Sequence, residues 1–116
     1  MDENVSEVLP DDYAICIAGH GSRDKEGIQE FLTLATKFKE REPHRIVECG
    51  FLEFAKPTID EAVVKCVQDG IKNIIVIPGV LMAAGHAKND MPSEVLSMAR
   101  KFPDLNIQYG RPLDIH

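Results

Sequence analysis

Two histidines stand where chemistry could be done. The first lies in IAGHGSRD, residues 17–24, and the second in AAGHAKND, residues 83–90. Each has a glycine immediately before it, and each comes soon after an apolar run. Imidazole titrates near neutral pH, so His20 and His86 can each accept a proton or ligate a divalent transition metal. Small neighbours leave such a ring accessible and let the backbone come close to a ligand. A third candidate is Glu53, which follows another apolar run in the stretch FLEFAKPTI. Two histidines and one carboxylate fall short of the roughly four ligands of a closed structural zinc site. The set fits an open site, or one shared between chains.

Other chemistries fit less well. GHGSRDKEG is glycine-rich ahead of a helix and could cradle a phosphate. It matches neither the dinucleotide-binding fingerprint nor the P-loop. A histidine phosphatase would carry arginine directly before the histidine, where this chain has Gly19. Ser22 near His20 suggests nucleophilic hydrolysis, but the strand-turn GxSxG pattern is missing.

The elements around these residues alternate. YAICIA, Tyr13 to Ala18, reads as a short buried strand ending at a glycine. Asp24 to Arg41 carries Ile28, Phe31, Leu32, Ala35 and Phe38 at helical spacing, and Pro43 stops that helix. RIVECGFL, Arg45 to Leu52, reads as a second strand. A helix follows with Ile59, Ala62, Val63, Cys66 and Val67 on one stripe. Thr58 and Glu61 form its capping box and Gly70 closes it. Asn73 to Val80 is the third strand. Pro92 opens a helix with Val95, Leu96, Ala99 and Phe102 inward, and residues 106–110 form a weak fourth strand.

This alternation predicts an α/β fold: a single doubly wound, parallel, four-stranded sheet in the order 2-1-3-4. The first and third strands are then neighbours whose outgoing connections leave on opposite faces. A crevice opens between them at the carboxyl edge, where ligands bind. His20 and His86 both fall at its lip, with Glu53 on the same edge but farther out. The first helix covers one face, and the second and third cover the other.

Length and charge bound the rest. With 116 residues the chain suits one domain. A net charge of −6 disfavours a general nucleic-acid or anionic-membrane role. No run approaches the roughly 20 apolar residues of a membrane span. Residues 1–12 are expected to form a loose, flexible acidic leader without the marks of a signal peptide, and the protein is expected to be cytoplasmic. Cys16, Cys49 and Cys66 show no metal-binding spacing and read as reduced thiols in a core.

Taken in order, GHGSRD, FLEFAKPTI, AAGHAKND followed by MP, and YGRPL resemble the short sirohydrochlorin cobaltochelatases. These are class II tetrapyrrole chelatases of cobalamin biosynthesis. The resemblance covers about Tyr13 to His116. It implies a flavodoxin-like half of a class II chelatase, and ATP-independent insertion of Co2+ into sirohydrochlorin. Ni2+ or Fe2+ insertion, or metal and tetrapyrrole binding without turnover, remain alternatives. No prosthetic group is implied, since the metal is a substrate.

His20 and His86 carry over as the residues that handle metal and pyrrole protons, with Glu53 assisting. Sirohydrochlorin carries many carboxylates. Arg23, Lys88 and the backbone amides after Gly19 and Gly85 are placed to meet them, with Ser22 and Asn89 adding neutral hydrogen bonds. The plain alternative for Arg23 and Lys88 is solvated charge or helix-end pairing, and for Asp90 a helix cap.

Short members resemble half of a larger two-lobed chelatase and form homodimers. Family members continue past GRPL into another helix, whereas this sequence stops at His116. The sheet face beyond the third and fourth strands is therefore expected to be apolar and uncovered. That would require a partner surface or a longer parent protein, because exposed apolar sheet costs about 25 cal/mol per Å2.

Overall fold

The computed structural model describes residues 9–21, 23–80, 90–110 and 113–114. Strands and helices alternate along them: β1 (Tyr13–Gly19), α1 (Lys25–Arg41), β2 (Val47–Phe51), α2 (Ile59–Gln68), β3 (Asn73–Val80), α3 (Asp90–Lys101), β4 (Asn106–Tyr109) and β5 (Leu113–Asp114). The strand order is β2-β1-β3-β4, with every pairing parallel. β5 pairs with β3 at Gly79↔Leu113, one residue out of step with the β3–β4 register, which runs from Asn73↔Asn106 to Val76↔Tyr109. Two residues carry no periodicity, so β5 has no counterpart in the sequence reading.

Burial explains the sheet. Ala14 to Ala18 are fully buried, as a central strand covered on both faces requires. Side chains alternate between two cores. Ala14, Cys16, Ala18, Ile74 and Val76 pack with Ile59, Ala62, Val63 and Cys66 of α2 and with Val95 and Met98 of α3. Ile15, Ile17, Val47, Phe51 and Ile77 pack with Phe31 and Ala35 of α1. Complete burial of an isoleucine or methionine contributes about 1.5–3 kcal/mol.

Local signals set the helix ends. The Asp24 side chain accepts the Glu26 N–H at 3.2 Å ahead of α1. At α2, Thr58 Oγ1 accepts the Glu61 N–H at 3.1 Å, and Glu61 Oε1 accepts the Thr58 N–H at 2.9 Å, a reciprocal capping box. α3 starts at Asp90, two residues ahead of the expected opening at Pro92. Proline is tolerated in a first turn because its missing N–H would lack an intrahelical acceptor there.

Two helix positions expected inward are not. Val67 is 37% exposed and Leu96 is 54% exposed. On α3 the buried stripe runs through Val95 and Met98, with Phe102 partly buried, and Leu96 lies about 100° away around the axis.

The face over β3 and β4 that the described helices leave open also departs from expectation, because much of it is polar. The Tyr13 hydroxyl accepts from Asn106 Nδ2 at 3.0 Å and from Gln108 Nε2 at 3.3 Å. Asn106 Nδ2 also donates to Asn73 Oδ1 at 3.1 Å. Half-buried Ile75 supplies apolar surface between them.

At the amino edge of the sheet, Arg45 is buried. Its Nη1 donates to the carbonyls of Pro10 at 2.6 Å and Tyr13 at 3.0 Å, and its Nη2 to that of Leu9 at 3.0 Å. Nε faces Glu42 Oε1 at 3.5 Å, and that carboxylate is buried too. Residues 9 and 10, the inner end of the segment expected to be loose, are thereby tied to the start of β2. Residues 1–8 lie outside the described residues. Among the described residues, no helix is long and apolar enough to cross a membrane.

Candidate active site at the carboxyl edge of the sheet

β1 lies between β2 and β3. It sends its outgoing chain to α1 on one face, while β3 sends its own to α3 on the other. The carboxyl ends of β1 and β3 therefore flank the switch point of the fold. Gly19 and Gly79 sit there side by side, and one ring occupies the space their side chains would fill. A Cβ on Gly19 would lie 2.8 Å from Phe31 Cε1, and one on Gly79 would lie 2.9 Å from the same atom. Phe31 in turn packs on Phe51, with ring centroids 4.8 Å apart at an angle of 52°.

His20 emerges directly after this floor. The β1–β2 ladder continues past both strands: Leu52 N–H donates to the Gly19 carbonyl at 2.8 Å, and Glu53 N–H to the His20 carbonyl at 3.1 Å. His20 and Glu53 are thus fixed as backbone neighbours, closer than the outlying place expected for Glu53. Gly21 has φ +96°, and a Cβ there would overlap the Glu53 carbonyl oxygen. Only glycine meets both conditions. His20 is half-buried, and its Nε2 is buried with no hydrogen-bond partner among the described residues. A buried ring nitrogen without a partner is costly to the fold and available to a ligand. The Glu53 side chain is exposed at the lip.

Beyond Glu53 the chain folds back on itself. Phe51 N–H donates to the Pro57 carbonyl at 2.8 Å, and Lys56-Pro57 is a cis peptide. A pocket of about 320 Å3 opens beside this turn, lined by Leu52, Glu53, Ser93 and Glu94. Burial, then the neighbouring Asp60 carboxylate, raises the Glu94 carboxyl above its ordinary range. Asp60 Oδ2 accepts from Lys101 Nζ at 2.8 Å, which joins α2 to α3.

Arg23 is exposed, with its guanidinium carbon 4.6 Å from the centre of the Phe54 ring. Of the residues singled out from the sequence, Gly19, His20, Arg23 and Glu53 converge on this edge. Ser22, Gly85, His86, Lys88 and Asn89 lie outside the described residues. Phe54 and Glu94 also reach the lip. The sequence reading assigned them no role, although Phe54 stands inside the quoted FLEFAKPTI run. Among the described residues, no three histidine, cysteine, aspartate or glutamate side chains are grouped to hold a metal ion.

The three thiols belong to the packing. Cys16 and Cys66 are buried and Cys49 is half-buried. Desolvation pushes the Cys66 thiol up to about 11 and raises Cys16 and Cys49 as well.

A doubly wound sheet that presents an uncommitted imidazole and a carboxylate at its switch point defines an α/β protein built to take a ligand at its carboxyl edge. The CbiX family model matches residues 14–116, and the chain belongs to that family. It is 38% identical over 102 residues to the sirohydrochlorin ferrochelatase of Bacillus subtilis, covering 88% of this chain and 39% of that protein. It is 36% identical over 104 residues to the sirohydrochlorin cobaltochelatase of Priestia megaterium, covering 89% of this chain and 33% of that protein. The crystal structure of the sirohydrochlorin chelatase SirB from Bacillus subtilis subspecies spizizenii in complex with cobalt superposes with a TM-score of 0.77 at 38% identity. That match covers 90% of this chain and 44% of the SirB chain. The chain therefore spans less than half the length of these relatives.

Proposed function

We propose that this chain inserts a divalent metal ion into sirohydrochlorin without ATP, with Co2+ as the first candidate and Fe2+ or Ni2+ as alternatives. The observation that carries this reading is the buried, unpartnered Nε2 of His20, held beside Glu53 at the switch point of a CbiX-family chain. Insertion exchanges one metal dication for two inner pyrrole protons, so the site needs groups that can hold a cation loosely and take up protons. A neutral imidazole can do either. His20 and His86 are assigned these two tasks, with Glu53 as the adjacent carboxylate. Nitrogen and oxygen ligands release a metal more readily than thiolates do. The buried thiols, with their raised pKa values, do not compete at neutral pH.

Arg23, Lys88 and the amides after Gly19 and Gly85, with Ser22 and Asn89, are assigned to the substrate carboxylates. A chain that spans 39% of its Bacillus relative supplies one wall of the hollow. A second copy, in a homodimer, supplies the other. Cobalamin biosynthesis in the cytoplasm is the setting this activity fits.

The test is optical and anaerobic. Protein, sirohydrochlorin and Co2+, Fe2+ or Ni2+ are mixed at matched concentrations, and the absorbance shift of insertion is followed. Acceleration over the protein-free rate is expected, and the three initial rates rank the metals. Binding of the macrocycle with only the uncatalysed rate would make the chain a carrier. Sedimentation at working concentration tests the dimer.

A further inference from the structure

We infer that Phe54 is a positioning residue for Arg23, and that the two form a platform at the crevice lip for one edge of a flat, carboxylate-rich ligand. The inference rests on the function proposed above and adds to it the residue that holds the carboxylate-binding arginine in place.

Three observations converge on the pair. Phe54 is 55% exposed, so core packing does not account for a large apolar side chain there. Its φ is +69°, a value at which a bulky side chain is an outlier. Such backbone persists where the surroundings over-determine it, and it clusters at ligand sites. Here the flanking turn is fixed by the Glu53 N–H on the His20 carbonyl and the Phe51 N–H on the Pro57 carbonyl. Finally, the ring lies 4.6 Å under the Arg23 guanidinium carbon.

Acidic residues outnumber basic ones by 19 to 13 in this chain, yet no carboxylate among the described residues pairs with Arg23. A guanidinium resting on a ring face keeps its N–H edge free for a bidentate carboxylate. The pair is also tied to the reacting groups through the chain. Phe54 follows Glu53, and Arg23 comes three residues after His20.

The test measures metal-free sirohydrochlorin binding by absorbance titration, Co2+ insertion, and thermal unfolding, on the wild type and four variants. Phe54→Gly removes the ring and suits the positive φ. It is expected to unfold at the wild-type temperature or higher, yet to bind sirohydrochlorin about 3- to 10-fold more weakly with kcat at saturation unchanged. Phe54→Tyr keeps the ring and is expected to keep wild-type affinity. Arg23→Ala weakens binding by a similar factor. Combined with Phe54→Gly it costs nothing further, since the two residues act as one unit. Unchanged affinity in Phe54→Gly, or losses that simply add in the double variant, would overturn the inference while the chelatase reading stands. A wild type that neither binds sirohydrochlorin nor accelerates insertion would remove both.

Discussion

The two arginines at opposite edges of the sheet are used in opposite ways. Arg45, at the amino edge, is buried, and its two terminal nitrogens donate to three main-chain carbonyls while its charge is paired with the Glu42 carboxylate. Arg23, at the carboxyl edge, is exposed, rests on one aromatic ring, and has no carboxylate partner among the described residues. His20 follows the same rule as Arg23, with a buried nitrogen that the fold leaves unsatisfied. At the amino edge the arginine's charge and four of its contacts go into holding the chain together, although its Nε makes no hydrogen bond. At the carboxyl edge the charged and ring nitrogens are left open among the described residues. That difference in exposure and charge pairing is what substitutions can put to the test.

The largest expected effect falls on the carboxyl edge. His20→Ala should lower the metal-insertion rate about 10²- to 10⁴-fold while leaving the unfolding midpoint near that of the wild type. Anaerobic initial rates check the first part and a thermal melt the second. A large loss of stability would break the contrast.

Arg45→Met is the reciprocal case. Stripping three part-buried carbonyls and a buried carboxylate of their partner should cost about 3 kcal/mol in urea unfolding, with specific activity per folded molecule preserved. Arg23→Met should stay within about 0.5 kcal/mol of the wild type in the same assay.

Gly21→Ala should have a smaller effect. The positive φ and the overlap with the Glu53 carbonyl should destabilise the fold by about 1–2 kcal/mol and slow insertion as well, because the backbone pairing of His20 with Glu53 must open. Reduced stability with an unchanged insertion rate would show that this pairing does not matter to the chemistry.

The smallest effect concerns pH. In the folded chain the Glu94 carboxyl is raised above 4.5, chiefly by burial and then by Asp60. The folded state therefore holds that proton more tightly than the unfolded state does. The group carries no penalty below the unfolded pKa, and stability falls as pH rises through the raised value. Glu94→Gln should melt slightly higher than the wild type near neutrality and match it at pH 4. Melting curves across that interval measure the difference.

Much of the fold was legible because its signals are local or periodic. Continuous apolar runs marked β1 and β3 as buried parallel strands, and Thr58 with Glu61 marked the start of α2. The place of His20 and Glu53 on one edge followed from strand ends alone. What escaped depended on partners distant in sequence. Leu96 and Met98 differ by two positions, too little for a short apolar stripe to reveal which of them points inward. The polar network over β4 needed the register that sets Asn73 opposite Asn106. Arginine is ordinarily exposed, so nothing in RIVECGFL announced a buried Arg45. A positive φ at a phenylalanine leaves no mark in the residue alphabet, which is why Phe54 went unassigned. His86 lies outside the described residues, and its meeting with His20 stays with the proposal.

The Phe31 ring seated against both Gly19 and Gly79 acts as a keystone. The β1–β3 ladder fixes the spacing of the two exits, and the ring ties both of them to the helix that carries it. A side chain at either glycine would have to displace that ring before it could fit. A change in α1 at Phe31 would therefore be felt at the floor from which the imidazole emerges.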